Sequence, residues 1–131
     1  MVYNLFISHS WTYSNAYDGL VNLLDKNPYF SYKNYSVPRE DPIHNSPFEY
    51  QLKEAIRRKM QPASCVIVLA GVYATYSKWI NIEVALAKEK NKKIIAVVPR
   101  GSERISKVAR NVADEIVGWN TDSIIRAIRG F

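Results

Sequence analysis

The 131-residue chain is poor in the side chains that form disulfides or bind metals. It has one cysteine, Cys65, and two histidines. A single cysteine excludes a disulfide within the chain, and this composition lacks the ligand set of a zinc site. Cys65 begins the apolar run of residues 65–70, so we interpret it as a small buried hydrophobic residue. We therefore predict no metal site.

Glycine is also scarce, and none precedes Gly19. A dinucleotide-binding Rossmann domain requires Gly-x-Gly-x-x-Gly after its first strand, so this class is excluded, and the P-loop motif is absent too. A phosphoacceptor receiver would need acidic residues after strands 1 and 3, where Ser8-His9 and residues 69–71 stand instead. A loop that binds flavin mononucleotide is only weakly supported. Ser8 and Ser10 offer hydroxyl groups, but the segment lacks the glycine that usually lets the backbone approach the phosphate.

Long hydrophobic runs are absent. No segment approaches the roughly 20 apolar residues that span a bilayer, and residues 1–7 do not form a signal peptide. We expect a cytoplasmic protein without membrane contact. The net charge is +6, with basic clusters at 57–59, 88–93 and 100–110. No nucleic-acid-binding motif accompanies them, so we expect no nucleic acid partner; a phosphorylated small molecule suits the charge equally well.

Strand-like and helix-like segments alternate along the chain, which predicts a parallel sheet covered by helices on both faces. The length fits a single domain over residues 1–131. Right-handed crossovers favour a three-layer, flavodoxin-like α/β fold with five strands in the order 2-1-3-4-5. Strands are predicted at residues 2–7, 30–35, 65–70, 93–98 and 115–117, and helices at 14–26, 46–60, 79–90, 102–112 and 121–129, the last with Thr121 as its N-cap.

Three unusual segments are predicted to meet at one edge of this sheet. Ligands of doubly wound sheets bind beyond the carboxyl ends of the strands, at the switch point beside strand 1. That crevice would be lined by segment 8–11, by the proline-containing loop 36–46 and by loop 71–77. Because a long polar loop in a compact domain usually has a function, we predict a ligand site there.

Glu83 lies on the apolar side of a predicted helix. At about 100° per residue, it falls on the same face as Trp79 and Ala87. Burying an unpaired carboxylate costs several kcal/mol or forces protonation, so this residue has either a partner or a function. One interpretation is a structural pair with a nearby lysine, such as Lys78 or Lys90. The other is a catalytic group.

Glycosidic chemistry suits a carboxylate in such an environment. Cleavage of a ribose C–N bond builds positive charge on the sugar, and a fixed carboxylate stabilises that charge. Trp79, one turn before Glu83, would provide an apolar wall. Asp41, on the long loop, is a candidate second carboxylate. A leaving group that departs neutral from a cationic pyridinium, such as nicotinamide, needs no acid.

Several motifs together resemble a TIR domain. These are Phe6-Ile7-Ser8-His9-Ser10 after strand 1, loop 36–46, Tyr76-Ser77-Lys78-Trp79, and the Trp-x-x-x-Glu of Trp79–Glu83. More narrowly, the chain resembles the short bacterial TIR-like proteins that act in anti-phage signalling, as in Thoeris systems. The resemblance covers essentially the whole chain. It departs from many enzymatic TIR domains at Ile80, where they have cysteine.

The resemblance implies cleavage of NAD⁺ between nicotinamide and ribose, with NAD⁺ as substrate and no further cofactor. The product would be ADP-ribose or a cyclised or conjugated form that acts as a second messenger. Glu83 matches the catalytic glutamate of the family. Segment 8–10 matches part of the nucleotide pocket, and loop 36–46 matches the loop that gates the pocket. The residues expected to bind substrate are Phe6, Ser8, His9, Ser10, Asp41, Ser77 and Trp79.

The expected partners follow from the same resemblance. We expect self-association through TIR–TIR contacts made by loop 36–46, and a separate effector protein that responds to the product. Two other functions remain open. The chain could be a non-catalytic TIR adaptor that assembles through this loop. It could also be a different glycosidic enzyme that resembles the nucleoside deoxyribosyltransferases.

Overall fold

The computed structural model of the protein describes residues 2–8, 14–36, 49–70, 78–99 and 107–130. Strands and helices alternate along these ranges. The strands are β1 (Val2–Ser8), β2 (Ser31–Asn34), β3 (Cys65–Leu69), β4 (Lys93–Val97) and β5 (Glu115–Val117), and the helices are α1 (Ser14–Asp25), α2 (Glu49–Met60), α3 (Lys78–Glu89), α4 (Lys107–Val112) and α5 (Thr121–Arg129). None of the helices within these ranges has the length and apolar character needed to span a bilayer.

The five strands form one parallel sheet in the order β2-β1-β3-β4-β5. This confirms the predicted flavodoxin-like topology. Because all strands run in the same direction, their carboxyl ends share one edge of the sheet. β1 lies beside β3 with Ser8 opposite Val68. Ser8 is therefore the last residue of β1 and lies at the edge where ligands of this fold bind.

The helices cover both faces of the sheet. Helices α2, α3 and α4 pack on one face, in a core cluster that includes Phe6 of β1. Helices α1 and α5 pack on the other face, with Leu5 and Ile7 of the same strand. This alternation follows from the two-residue period of a β-strand. It directs the side chain of Ser8, two residues after Phe6, towards the face that carries α3.

The central strand β3 is buried along its whole length, as its unbroken apolar run predicts. Its first residue, Cys65, has only 3% of its surface exposed. Burial raises the pKa of the Cys65 thiol to about 12. The prediction that Cys65 acts as a small buried hydrophobic residue is confirmed.

Helix α5 is capped at both ends. Asn120, not the predicted Thr121, is the N-cap, and its side-chain oxygen accepts a hydrogen bond from the Ser123 backbone N–H at 3.0 Å. Gly130 ends the helix with a left-handed φ of 83°. Thr121 is the first helical residue, and its hydroxyl donates to the Leu23 carbonyl of α1 at 2.8 Å. Asn120 therefore caps the helix, and the adjacent Thr121 attaches it to α1.

Asn120→Ala is expected to lower the free energy of unfolding by about 1 kcal/mol, because it removes the acceptor for one N–H of the first turn. Chemical denaturation of both proteins measures the difference. Asn22→Ala is the matched control. Asn22 is exposed on α1, so its replacement should change the unfolding free energy by less than about 0.5 kcal/mol. Equal stabilities for the two variants would contradict this role for Asn120.

Candidate functional site

Glu83 and Ser8 form a buried polar pair at the carboxyl edge of the sheet. Glu83 lies in the second turn of α3, the helix that follows β3 along the chain. Its residue surface is 1% exposed, and that of Ser8 is 0% exposed. The Ser8 hydroxyl Oγ donates a hydrogen bond to Glu83 Oε1 at 2.8 Å. The predicted burial of this carboxylate is confirmed, and Ser8 provides it with a hydrogen-bond donor.

The apolar pattern of α3 explains why Glu83 is buried. Ile80, Val84 and Ala87 occur at helical spacing and are almost completely buried against the sheet. Leu86 and Ala87 lie on either side of Glu83 around the helix axis and are both buried, so docking of the helix carries the carboxylate inward. Its carboxyl group then reaches the end of β1, which lies beside β3.

The environment of this pair has two opposing electrostatic effects. Transfer out of water disfavours a charged carboxylate, whereas a donated hydrogen bond favours the charged form. Coulombic interactions are also stronger in a medium of low dielectric constant than in water. A carboxylate fixed at this position is therefore suited to stabilise a positive charge that develops close to it.

A second group of polar side chains lies next to the pair. Ser36, which is 8% exposed, follows the end of β2. Its Oγ accepts a hydrogen bond from the Ile7 backbone N–H at 3.1 Å and donates one to Asn34 Oδ1. Asn34 Nδ2 in turn donates to the Tyr17 hydroxyl at 2.7 Å. Sequence reasoning did not identify this network; its only sign is a serine where the second strand meets the long polar loop.

The structure describes three of the predicted site residues in full. It brings Ser8 and Glu83 together. It also places Phe6 in the core, fully buried, so its expected contact with substrate stays a prediction. The backbone of Trp79 lies in the first turn of α3, and the role of its side chain stays a prediction as well. The remaining predicted residues lie outside the described ranges: His9, Ser10, Asp41 and Ser77.

Within the described ranges, no group of three or more histidine, cysteine, aspartate or glutamate side chains is arranged to hold a metal ion. Among the described residues, the polar side chains near the carboxyl end of β1 provide hydroxyl, carboxylate and amide groups. These suit hydrogen bonding to an organic ligand and stabilisation of positive charge.

Comparison with protein-family models gives a match to the TIR-like domain of the Thoeris protein ThsB over residues 6–104. The matched region begins within β1 and extends past β4, so it includes both Ser8 and Glu83. No curated protein matches the chain. The family match covers about three quarters of the 131 residues, and the strand order is the one predicted from the alternation of strands and helices. The chain therefore belongs to the family of TIR-like domains of the Thoeris protein ThsB.

Proposed function

We propose that this protein cleaves NAD⁺ between nicotinamide and ribose, with Glu83 as the catalytic carboxylate. Membership of the ThsB family supports a TIR-type function in anti-phage defence, and the specific reaction is our proposal. The observation that carries it is the buried Glu83 carboxylate, which accepts a hydrogen bond from Ser8 at the carboxyl edge of the sheet.

The chemistry of the bond explains why one carboxylate suffices. In NAD⁺ the nicotinamide nitrogen is cationic, so the electron pair of the breaking C–N bond passes to that nitrogen and nicotinamide leaves neutral. No general acid is required. The ribose carbon becomes electron-deficient, and its positive charge spreads onto the ring oxygen. A preorganised negative charge close to this centre stabilises the transition state more than the ground state.

The Ser8 hydrogen bond preorganises that charge. A free glutamate side chain has three rotatable bonds and would have to be fixed during the reaction. Here Ser8 Oγ holds Glu83 Oε1 at 2.8 Å, and both residues are enclosed by the fold. The cost of orienting the carboxylate is therefore met during folding, which is the general origin of electrostatic catalysis in enzymes.

The rest of the proposed site comes from the family resemblance. His9, Ser10, Asp41, Ser77 and Trp79 are proposed to contact the nucleotide. Loop 36–46 is proposed to mediate self-association. Water, the adenine ring or another acceptor then captures the ribosyl group. We propose that the resulting ADP-ribose-type product, cyclic or conjugated, acts as a messenger for a separate effector protein.

The proposal is tested by incubating the purified protein with NAD⁺ and, separately, with nucleosides, and resolving the products by chromatography. We expect nicotinamide and an ADP-ribose-type product from NAD⁺ only. Release of bases from nucleosides, with NAD⁺ left intact, would favour the deoxyribosyltransferase-like alternative. No product in either reaction, including under crowding and in extracts of phage-infected cells, would identify a non-catalytic adaptor.

A further inference from the structure

The carboxyl end of β1 is held differently on its two sides. On the β3 side, the parallel ladder continues to the last residue, with Ser8 opposite Val68. On the β2 side, the ladder ends earlier, at the pair of Leu5 and Asn34. One further backbone bond follows, in which the Tyr35 N–H donates to the Leu5 carbonyl at 2.8 Å. The backbone of Ile7 therefore lies beyond the regular pairing with β2.

Ser36 supplies a hydrogen-bond acceptor at this point. In a continuing parallel ladder, the Ile7 N–H would donate to the Tyr35 carbonyl. Instead, the Ser36 hydroxyl oxygen accepts from the Ile7 N–H at 3.1 Å. The contact lies one residue before Ser8, which donates to Glu83. The Ser36 side chain thus replaces a strand carbonyl as the acceptor for the Ile7 N–H, just after the end of β2.

The Ser36 hydroxyl is itself oriented by its neighbours. A hydroxyl group has one hydrogen, and here that hydrogen goes to Asn34 Oδ1, which leaves the oxygen lone pairs available to Ile7. The Asn34 amide is fixed from the other side, because its Nδ2 donates to the Tyr17 hydroxyl at 2.7 Å. The acceptor for Ile7 is therefore anchored to both β2 and α1.

We propose that Ser36 is a positioning residue for the Ser8–Glu83 pair. The kinetic consequence rests on the proposed function; the geometric consequence does not. Ser8 belongs to the same strand end as Ile7, and that end is clamped between the β3 ladder and Ser36. Loss of the Ser36 hydroxyl removes the hydrogen bond that its oxygen accepts from the Ile7 N–H, so we expect Ser8 Oγ to hold Glu83 Oε1 less rigidly.

The kinetic test compares Ser36→Ala with wild type on NAD⁺. We expect kcat to fall about 10- to 100-fold, as small misplacements of catalytic groups commonly cause, while KM changes less than about twofold, because uniform substrate binding is untouched. Ser36→Thr keeps the hydroxyl and should recover most of the lost rate. An unchanged kcat in a folded Ser36→Ala protein overturns the proposal.

Ser64→Ala is the matched control. The Ser64 hydroxyl also bonds to the β1 backbone, but as a donor, to the Asn4 carbonyl 3.3 Å away and near the opposite end of the strand. Its loss should leave kcat unchanged. If Ser36→Ala does not fold, Asn34→Ala replaces it, because Asn34 is exposed and its removal releases the Ser36 hydroxyl. An Asn34→Ala protein with wild-type kcat then overturns the proposal.

A spectroscopic test needs no catalytic activity. The Ser8 hydroxyl is fully buried and hydrogen-bonded, so its proton should exchange slowly and give an NMR signal. We expect this signal to broaden or disappear in Ser36→Ala and to persist in Ser64→Ala. If the wild-type protein does not cleave NAD⁺ but the Ser8 hydroxyl signal behaves as expected, the proposed function fails and the positioning role stands. If the signal persists in folded Ser36→Ala, the positioning role fails.

Discussion

Glu83→Gln is expected to lower the rate of nicotinamide release by about 10²–10³-fold, the usual effect of removing one electrostatic group from a transition state. The substitution keeps the size of the side chain and leaves an oxygen that can accept the Ser8 hydrogen bond at the same position. It therefore removes the negative charge while changing the packing little. Nicotinamide released from NAD⁺, measured by chromatography at saturating and limiting substrate, gives kcat and kcat/KM separately.

Glu89→Gln is the matched control for this experiment. Glu89 lies on the same helix, but its side chain is 55% exposed and pairs with Arg57 at 3.0 Å. That ion pair lowers the pKa of the Glu89 carboxyl group. Because an exposed pair contributes little to stability, both the fold and the rate should persist. A Glu83→Gln protein as active as wild type would remove this carboxylate from the mechanism.

Phe6→Ala is expected to lower the free energy of unfolding by about 3–5 kcal/mol. Phe6 is completely buried in the cluster formed by β1 and the helices α2, α3 and α4, so the substitution leaves a cavity that the neighbours fill only in part. Domains of this size have a total stability of about 5–15 kcal/mol, so the loss is a large fraction. Denaturant titration followed by circular dichroism measures it.

Two further variants define the role of the Phe6 ring. Tyr29→Ala removes an aromatic ring from a residue that is 88% exposed, so it should cost less than about 0.5 kcal/mol. Phe6→Leu keeps an apolar core and should restore much of the stability. An unchanged KM for NAD⁺ in Phe6→Leu would limit Phe6 to packing, whereas a raised KM would support the predicted substrate contact. A Phe6→Ala protein as stable as Tyr29→Ala would contradict the cavity argument.

The sequence predicts the features of this fold that depend on local patterns. The apolar run at Cys65 to Leu69 has no alternation and is a fully buried strand. The helical spacing around Glu83 places its carboxylate on the inner face of α3, and the structure confirms this burial. Both results follow from periodicity, because the repeat of a strand or helix determines which side chains face the core.

Features that depend on register between distant segments are not predictable in this way. Periodicity gives the direction of Glu83 around its helix axis, but it does not identify Ser8 as the donor, because that pairing depends on where β1 ends relative to α3. The hydrogen bonds of Ser36 depend similarly on where the pairing of β2 with β1 ends. The one-residue difference between Asn120 and Thr121 has another cause, since both residue types can accept the capping hydrogen bond.

The bond between Ser8 and Glu83 joins residues 75 positions apart in the chain. A ribosome synthesises β1 before β3 and α3, so the nascent chain at first carries Ser8 without its acceptor. Contacts of this sequence separation form late, because closing a long loop costs entropy before any contact is gained. Under the proposed function, unfinished chains and fragments that end before α3 cannot consume NAD⁺. Under that proposal, the synthesis of α3 is a condition for the activity.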